Sequence, residues 1–533
     1  MQQTDSIGAI GITDKYKSIL EILDVASKKY CNKVALVCDQ QELSYAELSQ
    51  LSIQFAHYLK LKGLEKGDVI ALVMPNVLAY PIALFAAYRL GLTVVNMNPM
   101  YTFSEIYKVV SDCEIKAVVV FAPMLENIAK LPSFNNFKSV VSVTPGPLRL
   151  DQVKQESSTL ISFIDALNLG KTESERNGEL EALVKTEDVA FLQYTGGTTG
   201  QPKAAMLTHS NIVSCINQFE LMTPYIQPST EVVLAPLPLY HIFGLVIGLL
   251  SSLSQGSTIL LISDPRDLPK MANLFREWSI TMMYGVNALY SGLYHAGNLS
   301  KKDFASLKLC GSGATALSKS TAQKWHELTG CSIIEGYGMT ETSGLISFMS
   351  ENTSTEFGTV GLTLPNCETT IRDEHENILL ANVVGELCVT GPNIMSGYYN
   401  ASDETDNIFC ADGALKTGDL ARIDEHGYIW LVDRVKDMIN VSGFNVYPNE
   451  IEQVINLFDG VLESACVSAK NDKSGEIVKA YIVSENGEKI DTEALLEHCR
   501  ERLAAYKIPK LVELIAALPK SPVGKILRKD LKE

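Results

Sequence analysis

The sequence is short of positive charge, and this shortage excludes whole classes of partner. Its 533 residues contain 45 Lys and Arg against 62 Asp and Glu, which gives a formal net charge of −17 at pH 7. A nucleic-acid-binding protein needs a basic face that neutralises phosphates, so we expect no nucleic-acid partner. Bulk attraction to anionic lipid is disfavoured for the same reason. A phosphate-containing ligand therefore needs Lys and Arg residues that are placed locally against the overall field.

The sequence also shows no paired cysteines, no secretory signal and no uninterrupted apolar span. The 11 cysteines form no Cys-x-x-Cys motif, which disfavours a zinc site or a redox dithiol and is typical of buried thiols in a reducing cytosol. Residues 1–17 have no basic segment followed by an apolar core, so we expect no secretory signal. Residues 232–263 carry no Asp, Glu, Lys or Arg, but prolines, glycines and polar side chains interrupt them. We predict a buried loop, helix and strand there instead of a transmembrane helix.

The length and texture of the chain predict an α/β fold with more than one domain. Capping boxes at Ser44-x-x-Glu47 and Thr102-x-x-Glu105, and strands that alternate with amphipathic helices, favour a parallel sheet. We predict a large N-terminal domain, 1–435, of two sheets with flanking helices plus a small β subdomain. A small mobile α+β domain, 436–533, is expected to follow. Residues 145–187 are polar and are expected to form an irregular surface excursion.

The segment from Tyr194 to Lys203, Tyr-Thr-Gly-Gly-Thr-Thr-Gly-Gln-Pro-Lys, is the strongest candidate for a ligand site. An apolar strand at 189–192 leads into it, and a helix is expected to begin near Thr208 or Ser210. Its glycines let the backbone approach a ligand, its hydroxyl and N–H groups suit an anion, and Lys203 adds a point charge for phosphate. It differs from the common phosphate loop, in which a lysine directly follows the last glycine. An ordinary glycine-rich turn between strand and helix is the alternative.

A second candidate is the segment Glu335-Gly-Tyr-Gly-Met-Thr-Glu-Thr342, which follows a predicted strand. Tyr337 between two glycines can offer a flat face to a base, and Glu341 offers hard oxygens for Mg²⁺. A surface turn with a solvated Glu is the alternative. Gly311-Ser-Gly313 ends another predicted strand, and ligand sites belong at such carboxyl ends.

Three weaker stretches complete the set. Thr417-Gly-Asp419 places an Asp where it can accept the hydroxyls of a ribose, although it is also an ordinary turn. Pro522 and Gly524 before Lys525 are typical of a shaped loop, whereas a frayed basic tail is the alternative. His241, in Pro238-Leu-Tyr-His-Ile-Phe-Gly244, is either a hydrogen-bonded core residue or the gate of a pocket.

With these five stretches in this order, the chain resembles the adenylate-forming superfamily of acyl-CoA synthetases, non-ribosomal adenylation domains and firefly luciferases. Within it, the chain is most similar to the bacterial long-chain fatty-acid–CoA ligases. The likeness runs from about Tyr30 to Leu531. The most specific matches to the family lie at residues 191–200, at 237–243 and at 432–452.

The resemblance implies a role for each residue that matches a family motif. The ATP phosphates would be held by Thr195, Gly196, Gly197, Thr198, Thr199, Gly200 and Lys203. The adenine would be lined by Gly313, Ala314, Glu335, Gly336, Tyr337 and Gly338. The catalytic group would be Lys525, which bridges the α-phosphate and the acyl carboxylate, Thr340 at the α-phosphate, Glu341 and His241. Mg²⁺ would be held by Glu341 and Thr195, and the ribose by Asp419 with help from Arg434. Lys436 falls at the hinge, and Gly443 falls where the pantetheine arm of CoA passes.

The reaction that the resemblance implies is the ATP-dependent ligation of a medium- to long-chain fatty acid to CoA through acyl-AMP, with release of AMP and pyrophosphate. The C-terminal domain would rotate about the hinge between the two half-reactions. Gly285-Val-Asn-Ala-Leu289 and the apolar helix after His241 suggest an aliphatic tunnel. One departure is Ala414, which stands where the family usually has Trp.

Two other functions are weighed against this one. An enzyme of the same fold could stop at acyl-AMP and load a carrier protein, but the Gly443 stretch favours CoA. A non-catalytic lipid or nucleotide sensor would not need both Glu341 and Lys525. We expect a cytoplasmic enzyme, and we leave open a peripheral contact with the inner face of the cytoplasmic membrane and a homodimer.

Overall fold

The computed structural model describes residues 15–146, 148, 159–178, 180, 183–195, 202–296, 299–349, 357–471, 475–487, 490–521 and 524–532. The backbone divides into two compact units. The first comprises Met1–Phe357, Leu364–Cys367 and Gly391–Asn407, and the second comprises Gly358–Thr363, Glu368–Thr390 and Ile408–Glu533. The boundary predicted at residue 435 stays a prediction.

The strands of the first unit are β1 (Val34–Cys38), β2 (Gln41–Ser44), β3 (Val69–Val73), β4 (Thr93–Asn96), β5 (Ile115–Phe121), β6 (Ser139–Val143), β7 (Leu160–Ser162), β8 (Val189–Thr195), β9 (Lys203–Thr208), β10 (Val232–Ala235), β11 (Thr258–Leu261), β12 (Met282–Gly285), β13 (Leu309–Ser312), β14 (Ile333–Tyr337) and β15 (Ser347–Phe348). Those of the second unit are β16 (Leu362–Thr363), β17 (Glu368–Arg372), β18 (Gly385–Thr390), β19 (Leu415–Ile423), β20 (Ile429–Arg434), β21 (Ile439–Val441), β22 (Phe444–Val446), β23 (Val461–Asn471), β24 (Gly475–Ser484) and β25 (Leu511–Leu514).

The helices are α1 (Ile19–Lys29), α2 (Tyr45–Leu61), α3 (Ala79–Arg89), α4 (Phe103–Asp112), α5 (Leu125–Ala129), α6 (Phe163–Asn177), α7 (His209–Met222), α8 (Ser252–Ser254), α9 (Leu268–Glu277), α10 (Asn287–His295), α11 (Lys319–Thr329), α12 (Ser402–Ile408), α13 (Pro448–Ile455) and α14 (Thr492–Arg500). Both predicted capping boxes are confirmed, at the first turns of α2 and α4.

Two sheets form the first unit, as the α/β texture predicts. One sheet has the order β7-β6-β5-β3-β4-β8-β9, and every pair in it is parallel except β8 with β9. The other runs β15-β14-β13-β12-β10-β11-β1-β2, parallel in its interior and antiparallel where β14 meets β15 and β1 meets β2. Since the carboxyl ends of parallel strands share one edge, each sheet presents its loops together.

The expectation of an irregular excursion at 145–187 is wrong for residues 160–177. β7 joins the edge of the first sheet, and α6 follows with its Ser162 cap accepting the N–H of Asp165. α6 packs closely on α2, because a Cβ at Gly170 would overlap the backbone oxygen of Gln54. The polar composition of the helix reflects its solvent face, which hid the narrow buried stripe.

The uncharged segment 232–263 forms the buried loop, helix and strand that its interruptions predict. After β10 and a loop, a π-helix covers Gly244–Ser251, every residue of which is buried, and α8 and β11 follow. Across the described residues, every helix is too short or too polar to cross a membrane.

The second unit contains two further sheets. β17-β18-β19-β20 is an antiparallel meander, and β22-β21-β24-β23 carries β25 beside β24. A small cluster of Cys388, Cys410 and Ala414 is buried near the meander. Ala414, which stands where the family usually has Trp, thus clusters with two buried cysteines.

Candidate active site

Two of the segments that the sequence singled out in the first unit follow the neighbouring strands β13 and β14. β13 ends at Ser312 and β14 ends at Tyr337, and the two strands pair in parallel with Ser312 opposite Glu335. Gly313 and Gly338 therefore lie just beyond the same edge. This placement confirms that both predicted segments occupy carboxyl ends of strands.

Close packing leaves no room for a side chain at Gly338 and little room at Gly313. A Cβ at Gly338 would overlap the backbone oxygen of Gly344, and a Cβ at Gly313 would lie 3.1 Å from the oxygen of Gly336 and 3.2 Å from the ring of Phe243. The residue after Gly313 is also strained, since Ala314 has a φ of 63°. The segment is held in one shape by close contact, which suits a preformed ligand site.

Glu335 and Tyr337 have different environments on β14. Burial raises the pKa of the Glu335 carboxyl to about 7, while a hydrogen bond from the Leu317 N–H, at 3.4 Å, acts in the opposite direction. Tyr337 is half-buried, and its backbone oxygen accepts the Ile346 N–H at 2.7 Å. The residues predicted to line an adenine thus combine a partly accessible ring with a carboxyl group that titrates near neutrality.

Thr340–Thr342 form a 3₁₀ turn that is clamped from one side. The side-chain amide of Asn393 donates to the backbone oxygens of Thr342, at 3.0 Å, and Leu345, at 2.7 Å. The Ser343 hydroxyl donates to the backbone oxygen of Asn393 at 2.8 Å. Asn393 is fully buried. The turn that carries Thr340 and Glu341 is therefore fixed by buried hydrogen bonds, each expensive to break without replacement.

The Glu341 side chain is only 6% exposed and is held by a residue that the sequence did not single out. The Tyr398 hydroxyl donates to Glu341 Oε1 at 2.7 Å, and the Met395 N–H donates to the Glu341 backbone oxygen at 2.8 Å. Mg²⁺ commonly binds through one or two carboxylates together with substrate phosphates, so one oriented carboxylate fits this ion. Within the described ranges, no group of three or more His, Cys, Asp or Glu side chains could hold a metal by itself.

The loop before His241 is anchored to the first sheet by a buried polar network. The Asn76 amide donates to the oxygens of Ala235 and Leu237, at 3.1 and 2.8 Å, and its oxygen accepts the Leu239 N–H at 2.8 Å. Gln193 on β8 donates to the Tyr240 oxygen at 2.8 Å. The network holds the loop against the strand that leads into the glycine-rich segment.

His241 itself is half-buried, and its Nδ1 accepts the Phe243 N–H at 3.3 Å. The next residue, Ile242, lies 3.8 Å from the position of a Cβ at Gly344, beside the Glu341 turn. The His241 segment therefore borders both Gly313, through Phe243, and the turn that carries Glu341.

The glycine-rich segment connects two antiparallel strands, so the alternative of a turn directly between a strand and a helix is wrong, while the helix expected near Thr208 is confirmed. Thr195 ends β8 opposite Lys203 at the start of β9, and its hydroxyl donates to the Lys203 oxygen at 3.4 Å. The predicted helix, α7, begins only after β9 and is capped by Thr208. β9 reads Lys-Ala-Ala-Met-Leu-Thr, which shows no alternation of apolar and polar side chains and includes two alanines, a residue depleted in strands, so its pattern does not signal a strand. Gly196, Gly197, Thr198, Thr199 and Gly200 lie outside the described residues.

Lys203 and Glu341 both contact Tyr398. The Lys203 ammonium lies 5.4 Å from the centre of the Tyr398 ring and 3.9 Å from Glu404 Oε1. The structure thus brings Lys203, Tyr398 and Glu341 together in the first unit.

In the second unit, Asp419 and Arg434 are paired. They lie opposite each other on β19 and β20, and Arg434 Nε is 3.3 Å from Asp419 Oδ1. Gly418, with a φ of 72°, supplies the local bend that precedes Asp419.

Lys525 lies in a closed loop and not in a frayed tail. The Ser521 N–H donates to the Lys525 oxygen at 2.7 Å, and the Lys525 N–H donates to the Ser521 hydroxyl at 3.1 Å. Burial lowers the pKa of Lys525 to about 8; Arg434 acts in the same direction, and Asp419 opposes it. Pro522 and Val523 lie outside the described residues.

Arg528, three residues after Lys525, anchors this loop and was missed by the sequence reasoning. Its guanidinium donates to both oxygens of Glu452, at 2.9 and 2.7 Å, and to Asn449 at 2.7 Å, and it lies 3.6 Å from Asp437. Bidentate pairs of this kind fix geometry strongly. A single Arg in a basic run gives no signal of such a partner.

The remaining predicted residues lie in turns. Lys436 is in the 3₁₀ turn Val435–Asp437. Gly443 has a φ of 87° and, with Ser442 at 53°, makes the two-residue hairpin between β21 and β22. A Cβ at Gly443 would meet nothing within 4 Å, so open space adjoins this turn.

Comparisons with known proteins place the chain in a family. The AMP-binding enzyme family matches residues 23–399, and the AMP-binding enzyme C-terminal domain matches residues 450–525. A long-chain-fatty-acid–CoA ligase of Yersinia pestis is 39% identical over 539 residues, covering 98% of this chain and 95% of that protein.

Two solved structures show the same fold. ATP-bound MatB from Rhodopseudomonas palustris has a TM-score of 0.86 and 29% identity, covering 96% of this chain and 98% of that one. The o-succinylbenzoate CoA synthetase MenE from Bacillus subtilis, in complex with the acyl-adenylate intermediate OSB-AMP, has a TM-score of 0.82 and 26% identity over the same shares. With the first family match alone spanning most of the sequence, this chain belongs to the AMP-binding enzyme family.

Proposed function

We propose that this protein ligates a fatty acid to CoA at the expense of ATP, through an acyl-AMP intermediate. The observation that carries the proposal is the 39% identity, over nearly the full length of both chains, to a long-chain-fatty-acid–CoA ligase. The likeness to a CoA synthetase solved with its acyl-adenylate supports the intermediate.

In the first half-reaction, a fatty-acid carboxylate must approach the negatively charged α-phosphate. We assign Thr340 to that phosphate, and we assign Lys525 to both the phosphate and the acyl carboxylate, where its charge would offset their repulsion. Glu341, with Thr195, would hold Mg²⁺, which supplies further charge neutralisation when bound. Lys203 and the glycine-rich segment would hold the leaving pyrophosphate.

The nucleoside is assigned to two sets of residues. The half-buried ring of Tyr337 can stack on adenine beside Glu335, Gly336 and Gly338. Asp419 is already oriented by Arg434 and can accept the hydroxyls of the ribose, since a carboxylate accepts two hydrogen bonds readily.

The acyl chain is assigned to the region of the π-helix that follows His241. Gly248 is buried within this helix, yet a Cβ added there would meet nothing within 4 Å, so space adjoins an apolar wall. Such a wall can take an aliphatic chain, and we assign His241 to the entrance.

In the second half-reaction, the thiol of CoA would attack the acyl carbon and expel AMP. The open hairpin at Gly443 supports passage of a narrow pantetheine arm, and the turn at Lys436 is the proposed hinge. Because ATP and CoA are intracellular metabolites, we propose a cytoplasmic location. Contact with the inner face of the membrane and a homodimer stay predictions.

The test is a mass-spectrometric product assay with ATP, Mg²⁺ and fatty acids of graded length, with and without CoA. Acyl-CoA and AMP are the expected products. Acyl-AMP that accumulates despite CoA would instead indicate an enzyme that loads a carrier protein. The variant Gly248→Leu would fill the open space beside the π-helix, so its preferred fatty acid should have a shorter chain than that of the wild type. An unchanged preference would show that the π-helix does not line the acyl site.

A further inference from the structure

Tyr398 lies between two charged residues to which the proposed reaction gives separate roles. Its hydroxyl donates to Glu341 Oε1 at 2.7 Å, and its ring lies 5.4 Å from the ammonium of Lys203. Both Tyr398 and Glu341 are nearly inaccessible, at 7% and 6% exposure. A hydrogen bond between two such buried groups is stronger than on a surface. The Lys203 side chain is more accessible, at 25% exposure.

The backbone around Tyr398 is fastened to the strand that Lys203 begins. The Met206 N–H donates to the Gly397 oxygen and the Tyr399 N–H donates to the Ala204 oxygen, both at 2.9 Å. The Tyr398 N–H donates to the Thr405 hydroxyl at 2.9 Å. These backbone hydrogen bonds fix the position of Tyr398 relative to β9. The contacts that Tyr398 makes with Glu341 and Lys203 are therefore fixed relative to β9 as well.

The Tyr398 hydroxyl acts on Glu341 as a hydrogen-bond donor. An uncharged donor can orient the Glu341 carboxylate without cancelling the negative charge that a cation needs.

We propose that Tyr398 is a positioning residue for the metal–phosphate site: its hydroxyl sets the orientation of the Glu341 carboxylate for Mg²⁺, and its ring sets the place of the Lys203 ammonium for the phosphates. The proposal rests on the proposed function, since it needs Glu341 to bind the metal. Groups that orient a ligating carboxylate typically contribute about 10- to 100-fold to metal affinity.

The test compares Tyr398→Phe with Tyr399→Phe. The control removes a hydroxyl from the adjacent tyrosine, which packs against the apolar cluster of the first sheet. Calorimetry without fatty acid would give the dissociation constant of ATP in EDTA and in Mg²⁺, and the ratio of the two reports the metal's contribution without any catalysis. Glu341→Gln supplies the reference for a lost metal ligand.

We expect Tyr398→Phe to reduce this ratio about tenfold, with Tyr399→Phe at the wild-type value. The Mg²⁺ concentration that half-saturates acyl-AMP formation should rise in parallel, while thioester formation from supplied acyl-AMP stays within about twofold. A wild-type ratio in Tyr398→Phe, with a reduced one in Glu341→Gln, would overturn the inference and leave the proposed function standing. A wild-type ratio in both variants would instead remove Glu341 from the metal site. An equal loss of both half-reactions together with a lower melting temperature would reduce Tyr398 to a structural role and overturn the inference as well.

Discussion

Glu341 and Lys525 are assigned to the same half-reaction, yet the chain builds their surroundings in opposite ways. Around Glu341 the first unit uses close packing and neutral hydrogen-bond donors, from Asn393 and Tyr398. Around Lys525 the second unit combines burial, which lowers the pKa of the lysine most, with charged neighbours, of which Arg434 lowers that pKa further and Asp419 raises it. Packing fixes a side chain at any pH, whereas charges tie its state to protonation. We therefore expect a rigid metal–phosphate site and a lysine whose function responds to pH.

The largest effect is expected from Lys525→Ala. Acyl-AMP formation should fall by about 100- to 1,000-fold, because the transition state loses its positioned charge. Thioester formation from supplied acyl-AMP should largely survive. The two half-reactions would be measured separately, with the exposed Lys529→Ala as the control. An equal loss in both half-reactions would contradict the assigned role.

Glu341→Ala tests the packed side of the comparison. We expect the first half-reaction to slow by about 100-fold and to lose most of its response to Mg²⁺, because a preorganised ligand is gone. Titration of Mg²⁺ against acyl-AMP formation measures this, and Glu327→Ala, an exposed Glu on α11, is the control. An unaltered Mg²⁺ response would show that this carboxylate is not a ligand.

Lys436→Pro tests whether the second unit's chemistry depends on motion. Proline fixes φ near −65°, which the 3₁₀ turn tolerates but a rotated hinge need not. We expect thioester formation to slow roughly tenfold more than adenylation, a difference of about 1.4 kcal/mol in barrier height. Lys436→Ala, which keeps φ free, is the control. If proline slows both half-reactions alike, the hinge lies elsewhere.

The pH profile separates the two sites without mutation of either. Because the pKa of Lys525 is about 8, adenylation should decline as pH rises through this value, while thioester formation from acyl-AMP should lack that decline. Asp437→Asn removes a carboxylate that raises the pKa of Lys525, so the declining limb should move to lower pH. A limb that stays in place would show that another group controls it.

The same lysine affects stability with the opposite sign. Its pKa in the folded chain lies below the usual 10.5, so between about pH 8 and 10.5 the folded state binds fewer protons than the unfolded state. Its contribution to the free energy of unfolding therefore increases with pH over this window. A melting temperature followed in parallel would distinguish loss of charge on Lys525 from unfolding.

The smallest effects are expected from two glycines that serve the two sites differently. Gly338→Ala forces a Cβ into backbone and should reduce the free energy of unfolding by about 1–3 kcal/mol. A Cβ at Gly443 would enter open space, but the φ of 87° is unfavourable for Ala, so Gly443→Ala should reduce the free energy of unfolding by about 1–2 kcal/mol. Asn tolerates that conformation, so Gly443→Asn should recover stability whereas Gly338→Asn should lose more. Chemical denaturation measures all four, and equal behaviour of the two Asn variants would remove the distinction.

Much of the fold could be predicted because its signals are local. The caps at Ser44 and Thr102, the apolar strands, and the glycines that follow β13 and β14 each lie within a few residues of what they determine. The candidate residues Glu341 and Lys525 were singled out because each stands in a short motif with a distinctive composition, and the roles that the family resemblance implies for them stay predictions.

The rest was out of reach because its partners are distant in the sequence. Tyr398 is 57 positions from Glu341, and Asn76 is 159 and 161 positions from the carbonyls it holds. A buried tyrosine or asparagine has no local pattern that names its acceptor. β9 was missed because its own residues show no strand pattern and its structure depends on pairing with the neighbouring strand. α6 was missed because only a narrow stripe of its surface is buried.

The short strand β9 links two groups that the chain places far apart. It begins at Lys203, and its Ala204 and Met206 hold the segment that carries Tyr398. Side chains alternate faces along a strand, so a deletion of one residue within β9 would turn each later side chain to the other face of the sheet. Such a register shift would move Lys203 and Tyr398 apart, although neither residue is substituted. The length of this strand is therefore under a constraint that substitution studies of single residues would not detect.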